Sequence, residues 1–308
     1  MRPVLLDCDP GHDDAIALLL ALASPELELL GVTTVAGNQT LEKTTANALR
    51  VLEFVGRTDV SVAAGAARPL MRELAVASAV HGETGLDGPD LPPARREPVN
   101  LHAVDFLAEK VTASDAPVTL VATGPLTNVA LLLARHPERA GQLEGIVLMG
   151  GSIAEGNVTP AAEFNVWADP EAARRVFESG LEVTMIGLDV THRALVKREH
   201  AERLRRAGRT ARMVAELLDF FHRFHAETYA LDGSPVHDAV AVAHAARPGL
   251  VETLPRHVAV ECGSDLCRGR TVVDLWRRTG NAPNAHVGVG IDAEAFVELL
   301  LARLETFA

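Results

Sequence analysis

The sequence has few cysteines, no long apolar run and no cluster of basic residues. Its three cysteines in 308 residues are too few for a disulfide framework, which favours a reducing compartment such as the cytoplasm. Nothing approaches the roughly 18 consecutive apolar residues of a membrane-spanning helix, so we expect no membrane segment. The formal net charge is −12 without a lysine- or arginine-rich stretch, which argues against nucleic acid as a partner.

The chain also lacks the patterns of a signal peptide and of a zinc site. In the opening residues MRPVLLDCDP an aspartate interrupts the apolar run after three residues, which again favours the cytoplasm. Cys262 and Cys267 in ECGSDLCRG have a loose metal-ligand spacing, but no second pair or nearby histidine accompanies them. We therefore expect free thiols there.

Short apolar runs alternate with helical patterns through most of the chain. Strands are predicted at residues 4–6, 29–34, 60–63, 118–122, 146–149 and 183–186. Helices are predicted between them at residues 15–23, 41–55, 102–113, 126–135 and 170–178. Near-continuous apolar strands separated by helices indicate an α/β fold, with an open, mostly parallel central sheet flanked by helices.

The last third of the chain continues this pattern without a linker or an internal repeat. Helices are predicted at residues 211–231 and 236–246, strands at 257–261, 271–275 and 286–289, and a closing helix from residue 293. We therefore expect residues 1–308 to form a single domain.

The predicted loops after the strands are rich in polar and turn residues. They read DCDPGHDD, TTVAGNQT, HGETGLDGPDLPP, TGPLTN and MGGSIAEGNVTPAAEFNVWADP. The last runs about twenty residues without clear periodicity, and a loop of that length in a compact domain is more often functional than not. Ligands of parallel sheets bind beyond the carboxyl ends of the strands, so these loops predict the site.

Four carboxylates are concentrated in the first of these loops, at Asp7, Asp9, Asp13 and Asp14. A helix N-terminus stabilises an anion by only about 0.3–1 kcal/mol, too little for four of them. With only oxygen ligands in view, Ca²⁺ or Mg²⁺ would balance the charge better than zinc. The alternative is a pair of helix caps with solvated acids.

A second polar cluster occurs in GSPVHDAVAVAH, where His237 and Asp238 are predicted to open a helix. Asp238 would complete a metal shell that Asp9 and Asp14 begin, and His237 beside it would act on a substrate. An aspartate near a helix start is by itself more often a cap. The first carboxylate cluster favours a site.

Taken together, these motifs resemble the nucleoside hydrolase family. The resemblance rests on DCDPGHDDAIA, VAGNQT, HGETGLDG, TGPLTN, the run from MGG through GN and AEFN to ADPEAA, and VHDA. It covers residues 3 to about 290 in the same order and is greatest to bacterial ribonucleoside hydrolases that prefer pyrimidines. It implies a Rossmann-like sheet and cleavage of the N-glycosidic bond, with one Ca²⁺ per subunit holding the attacking water and the ribose.

The resemblance also implies residue roles. The metal ligands would be Asp9, Asp14, Asp238 and the backbone carbonyl of Thr123, with Asp9 also taking the proton from the water. The ribose hydroxyls would be held by Asp13, Asn38, Asn157, Glu163 and Asn165. His237 would protonate the leaving base, and His81 would position it.

Specificity is assigned to the predicted helix at 211–231. Phe221, His225 and Tyr229 fall at i, i+4 and i+8 and therefore form one stripe, a pattern that is also typical of core packing. Tyr229 occupies a position where pyrimidine-preferring relatives carry a tyrosine, whereas His225 departs from the glutamine expected there. Uridine and cytidine are thus the expected substrates, with a broad or purine-accepting enzyme as the alternative, and a homotetramer or homodimer as the expected assembly.

Two other function classes remain open at this point. One is a phosphohydrolase with Asp7 as nucleophile and Asp9 as acid–base, which the scarcity of Lys and Arg in the loops disfavours. The other is a catalytically silent, Ca²⁺-dependent nucleoside-binding protein, which the presence of Asp9, Asp14, Asp238 and His237 disfavours.

Overall fold

The computed structural model describes residues 1–229 and 231–307, so Ala230, inside the predicted helix 211–231, lies outside the described residues. The strands are β1 (Arg2–Cys8), β2 (Leu27–Thr34), β3 (Val62–Ala64), β4 (Val118–Ala122), β5 (Leu143–Met149), β6 (Val183–Ile186), β7 (Leu195–Val196), β8 (Ser234–Pro235), β9 (Val251–Arg256), β10 (Val258–Val260), β11 (Thr271–Val273) and β12 (Ala285–Ile291). The helices are α1 (His12–Ala23), α2 (Leu41–Phe54), α3 (Ser78–His81), α4 (Ala103–Ala113), α5 (Thr127–Arg135), α6 (Pro137–Ala140), α7 (Phe164–Ala168), α8 (Pro170–Phe177), α9 (Leu188–Thr191), α10 (Arg198–Arg205), α11 (Arg209–Tyr229), α12 (His237–Ala246) and α13 (Ala293–Leu304).

Within the described residues, eight strands form one central sheet in the order β3-β2-β1-β4-β5-β6-β12-β9. All neighbours pair in parallel except β9, which runs antiparallel to β12 at the edge. The predicted α/β fold with an open, mostly parallel sheet is therefore confirmed.

Helices cover both faces of the sheet. One hydrophobic cluster packs α1, α2, α11, α12 and α13 against it, with Leu18, Leu217 and Val240 fully buried. The other packs α4, α5 and α8 against the opposite face, around Leu107, Leu132 and Phe177. Strands buried on both faces need apolar side chains at successive positions, which explains why the interiors of β1 and β4 are mostly apolar.

The strand β9 was missing from the sequence prediction. It contains Glu252 and Pro255, and Pro255 pairs with His286 of β12 at the edge of the sheet. An edge strand tolerates a proline because one side of its backbone needs no partner. The predicted strands 257–261 and 271–275 form β10 and β11, but these pair with each other in a separate antiparallel hairpin.

The long loop after β5 is more ordered than its sequence indicated. Five of its residues form α7, whose N-cap is Glu163. No helix in the described part of the chain is both long and apolar enough to cross a membrane.

Candidate active site

The predicted carboxylates converge at the carboxyl edge of the sheet. Asp9 follows β1, Asp13 and Asp14 lie in the first turn of α1, and Asp238 lies in the first turn of α12. All four are at most 5% exposed. They come together because α1 and α12 pack side by side with their N-termini at that edge.

Three of these residues form the tightest group. Carboxylate oxygens of Asp13, Asp14 and Asp238 all lie within 4.8 Å of one another, close enough to share one metal ion. Asp9 lies outside this group but is joined to it, since its backbone N–H donates to Oδ1 of Asp14 at 3.2 Å. The structure thus places Asp13, which the family resemblance assigned to the ribose, among the carboxylates.

Burial dominates the electrostatics of this cluster. Burial, and next the charge of Asp14, raises the pKa of Asp13 to about 8. Burial and the charge of Asp14 also hold the pKa of Asp9 well above its ordinary value. For Asp238, burial and then the charge of Asp13 raise the pKa well above its ordinary value. So many buried carboxylates stay ionised at neutral pH only beside a cation.

Asp9 is closely enclosed by backbone. Its Oδ2 accepts from the backbone N–H of Asn38 at 2.7 Å, while its Oδ1 is buried without a partner among the described residues. A Cβ added to Gly37 or Gly124 would lie 2.2 or 2.7 Å from a carboxylate oxygen of Asp9. The orphaned oxygen and the hard oxygen donors of the cluster fit a divalent cation such as Ca²⁺.

Thr123 follows β4 and links the carboxylates to the next loop. Its hydroxyl donates to Oδ1 of Asp14 at 2.8 Å, and its carbonyl accepts from the side-chain amide of Asn165 at 2.7 Å. The carbonyl oxygen has a second lone pair, so its use by Asn165 leaves it able to coordinate a cation.

A cavity of about 310 Å³ opens beside the cluster. Eleven of the thirteen site residues predicted from the sequence line it: Asp13, Asn38, His81, Thr123, Asn157, Glu163, Asn165, His225, Tyr229, His237 and Asp238. Asp9 and Asp14 lie behind this wall.

Side-chain amides and a glutamate form part of the cavity lining. The side-chain amide of Asn38 donates to Oδ2 of Asp14 at 3.0 Å, and that of Asn165 bonds the Thr123 carbonyl. Glu163 caps α7 and accepts from the backbone N–H groups of Gly151, Asn165 and Val166. Burial raises the pKa of Glu163 to about 7, and these hydrogen bonds oppose the shift.

Besides His192, three histidines that were predicted from the sequence line the cavity: His81, His225 and His237. Burial lowers the pKa of His225 to about 4, and burial with neighbouring histidines holds the pKa of His81 and His237 well below the ordinary value. The imidazoles are therefore neutral at pH 7. Nδ1 of His225 lies 2.9 Å from the carbonyl of Phe221, which only accepts, so the proton is on Nδ1 and Nε2 is an acceptor.

Phe221, His225 and Tyr229, the predicted stripe on α11, all line this cavity. Phe221 and His225 are buried, whereas Tyr229 is 38% exposed at the end of the helix. The Tyr229 hydroxyl donates to the backbone carbonyl of Asn157 at 3.1 Å, which ties α11 to the long loop after β5. The side chain of Asn157 accepts from the Phe164 N–H at 2.9 Å.

Several residues that support the site were not found from the sequence. Nδ1 of His12 lies 3.2 Å from Nδ1 of His81, and its Nε2 donates to the Asp87 carbonyl at 2.8 Å. The Thr191 hydroxyl lies 2.7 Å from Nδ1 of His237. His12 stood inside the quoted motif DPGHDD, but nothing in the sequence indicated that its ring contacts a residue 69 positions away.

Comparisons with known proteins show the family of this chain. The family model for inosine-uridine preferring nucleoside hydrolase matches residues 4–298. The chain belongs to the nucleoside hydrolase family. It is 54% identical to the pyrimidine-specific ribonucleoside hydrolase RihA of Shewanella sp. (strain ANA-3), covering 99% of this chain and 97% of that protein. It is 53% identical to RihA of Escherichia coli O9:H4 (strain HS), covering 99% of each.

The fold of this nucleoside hydrolase superposes on a solved structure over nearly its whole length. The purine-preferring ribonucleoside hydrolase from Gardnerella vaginalis superposes with a TM-score of 0.94 at 34% identity, covering 99% of both chains. The predicted enzyme class, an N-glycosyl hydrolase of ribonucleosides, is thus confirmed. The phosphohydrolase alternative is wrong: its proposed nucleophile Asp7 is buried away from the cavity, where Oδ1 accepts from Thr33 and Asn128.

Proposed function

We propose that this nucleoside hydrolase prefers uridine and cytidine, and that it uses a bound Ca²⁺ with Asp9 as general base. The observation that carries the proposal is the polarity of the cavity. Its lining combines Asp13 and Asp238 of the carboxylate cluster with the neutral histidines His81, His225 and His237. A ribose would face the carboxylates and its base would face the histidines.

The pyrimidine preference is supported by the two relatives at 53–54% identity, both named pyrimidine-specific. His225 adds a physical reason, because its Nε2 acceptor can bond the N–H of uracil or the amino group of cytosine. Inosine also offers an N–H, and the 34% identical structural relative is named purine-preferring. A broad or purine-accepting hydrolase is therefore the alternative.

The residues that would hold Ca²⁺ are Asp9, Asp14, Asp238 and the Thr123 carbonyl, with Asp13 close enough to join them. When bound, the ion would polarise the attacking water and fix the ribose hydroxyls. The burial and the mutual repulsion that raise the carboxyl pKa values would then be offset, leaving the aspartates ionised.

In the proposed hydrolysis, Asp9 takes a proton from water as the water oxygen bonds to C1′ of the ribose. The bond between C1′ and the base nitrogen breaks, and its electron pair leaves with the base. His237 gives that base a proton and regains one, through solvent, as Asp9 releases the proton taken from water. His81 holds the base in place. The surrounding carboxylates stabilise the positive charge that develops on the ribosyl group.

Asp13, Asn38, Asn157, Glu163 and Asn165 are proposed to recognise the ribose. A substrate that lacks the 2′-hydroxyl leaves buried polar groups of such a site without partners, and sites of this kind discriminate strongly. We further propose that residues 1–308 form one domain, that the enzyme is a cytoplasmic homotetramer or homodimer, and that it acts on ribonucleosides without nucleic-acid or membrane partners.

The proposal is tested by measuring base release from uridine, cytidine, inosine, adenosine and 2′-deoxyuridine after chelation with EDTA and after Ca²⁺ is restored. We expect uridine and cytidine to be cleaved fastest, deoxyuridine to be spared, and EDTA to abolish activity until Ca²⁺ is added. A parallel melting curve should show a lower Tm after chelation, because an ion that binds only the folded state stabilises it.

The outcomes separate the parts of the proposal. Purine-led activity would overturn the pyrimidine preference and leave the chemistry intact. Restoration by Mg²⁺ but not Ca²⁺ would overturn the choice of ion. Activity and Tm that both survive thorough chelation would overturn the metal site.

A further inference from the structure

Thr191 is a buried threonine whose hydroxyl lies 2.7 Å from Nδ1 of His237. It is the last residue of the short helix α9, which follows β6. Its backbone N–H donates to the Gly187 carbonyl, and its own carbonyl accepts from Ala194, both at 3.1 Å. The turn therefore holds this hydroxyl in a fixed place behind the cavity histidine.

The hydrogen bonds of this pair determine which ring nitrogen carries the proton. In the described part of the chain, Nδ1 of His237 is the only polar atom that bonds the Thr191 hydroxyl. If Nδ1 carried a proton and donated it, the hydroxyl proton would be buried without an acceptor, at a cost of about 1–3 kcal/mol. If the hydroxyl donates to a bare Nδ1, both groups are satisfied.

The second nitrogen of the ring then faces the cavity. His237 lines that cavity, and its ring lies 5.4 Å from the ring of His192 and 6.3 Å from that of His225. Because Nδ1 is turned toward Thr191, Nε2 is the nitrogen available to a ligand. His225 has the opposite arrangement, since its Nδ1 donates to the Phe221 carbonyl and its Nε2 is bare.

We propose that Thr191 is a positioning residue that holds His237 as the Nε2–H tautomer, so that a hydrogen-bond donor faces the leaving base. The inference rests on the proposed role of His237 in base departure. The opposite tautomer would present a lone pair to a base that is gaining an electron pair, which opposes bond cleavage. His225, whose ring lies 6.3 Å from that of His237, supplies an acceptor, so the two histidines would bond different groups of the same base.

The test compares Thr191→Val, which removes the hydroxyl at nearly constant volume, with Thr191→Ser, which keeps it. Nitrogen NMR of ¹⁵N-histidine-labelled, Ca²⁺-loaded protein at pH 7 reports the tautomer, and His237→Gln assigns the His237 signals by their loss. Thr44→Val is the matched control, because the Thr44 hydroxyl is also buried but donates to the backbone carbonyl of Val35.

We expect the wild type, Thr191→Ser and Thr44→Val to show a protonated Nε2 on His237. Thr191→Val should show a mixed or reversed tautomer and a kcat for uridine lower by about 10-fold or more, part of the usual contribution of a proton donor. Thr191→Ser should retain kcat within about 3-fold, on the same scale. Thr44→Val should lower the Tm and leave kcat unchanged.

A wild-type His237 protonated on Nδ1, or a Thr191→Val protein with an unchanged tautomer, would overturn the inference. Failure of the proposed function looks different. If His237→Gln cleaves uridine at the wild-type rate, the role of His237 is wrong whatever Thr191 does to its tautomer. If His237→Gln is inactive while Thr191→Val keeps both tautomer and rate, only the role of Thr191 is wrong.

Discussion

At the scale of single residues, the chemistry of the site depends on which hydrogen-bond donors and acceptors of each side chain are not already used within the protein. Asp9 has one carboxylate oxygen bonded to the Asn38 N–H and one without a partner in the described residues. Glu163, by contrast, already accepts three backbone N–H bonds as a helix cap. Carboxylates of one site therefore serve different purposes, and Asp9 has the greater unused hydrogen-bonding capacity.

Substitution of Asp9 tests this view most directly. Asp9→Asn keeps an acceptor for the Asn38 N–H but removes the base, so we expect a folded protein that releases base at least ~10²-fold more slowly. Asp169→Asn is the matched control, since Asp169 is equally buried but caps α8 and bonds Thr127 outside the cavity. The Asp169→Asn protein should be less stable than the wild type and retain its kcat. An Asp9→Asn enzyme with full activity would refute the proposed base.

At the scale of secondary-structure elements, Asn128 at the start of α5 joins three strands of the sheet. Its amide donates to Oδ1 of Asp7 in β1 at 2.8 Å and to the carbonyl of Thr34 in β2 at 3.0 Å. Its oxygen accepts from the N–H of Ala66, just beyond β3, at 2.8 Å. Asn128 belongs to the quoted motif TGPLTN, yet its role as a connector followed only from the strand order.

Removing this connector should destabilise the fold. Asn128→Ala leaves a buried carboxylate oxygen, a carbonyl and an N–H with fewer partners, so we expect the free energy of unfolding to fall by about 2–4 kcal/mol. Urea denaturation followed by circular dichroism measures this change. Asn100→Ala, at an exposed asparagine, should shift it by less than about 0.5 kcal/mol. Equal effects of the two substitutions would contradict the role given to Asn128.

At the scale of the whole molecule, ionisable groups are divided between the two edges of the sheet. The carboxylates and cavity histidines lie at the carboxyl edge, whereas His244, near the C-terminal end of α12, lies by Arg2 at the opposite edge. Burial, followed by the charges of Arg2 and His286, lowers the pKa of His244 to about 4. Its Nδ1 is buried without a partner among the described residues.

His244 should therefore make the protein sensitive to acid. Between pH 6.5 and pH 4 the unfolded chain binds a proton at this position that the folded chain does not, so stability is full above pH 6.5 and is lost as the pH falls. At pH 5 the loss is about 2 kcal/mol. Thermal melts of His244→Leu at pH 7.5 and pH 5 should show a smaller drop in Tm than the wild type. An unchanged drop would rule out this contribution.

The sequence by itself determined the fold class and most of the candidate site. Apolar runs separated by amphipathic segments specify a covered parallel sheet, because only such a sheet buries strands on both faces. The carboxylates Asp9, Asp13 and Asp14 could be found because they are close along the chain, and His237 and Asp238 because they open one helix. The motif order was sufficient for the family resemblance that the comparisons confirmed.

Only the tertiary structure decided which distant groups touch. The grouping of Asp13 with Asp14 and Asp238, the contact of Thr191 with His237, and that of His12 with His81 join positions far apart in sequence. The pairing of β9 with β12, and of β10 with β11 outside the main sheet, likewise depended on packing. Local sequence fixes backbone conformation and apolar pattern, but partners across the fold are selected by the packing of whole elements, which no short window of sequence contains.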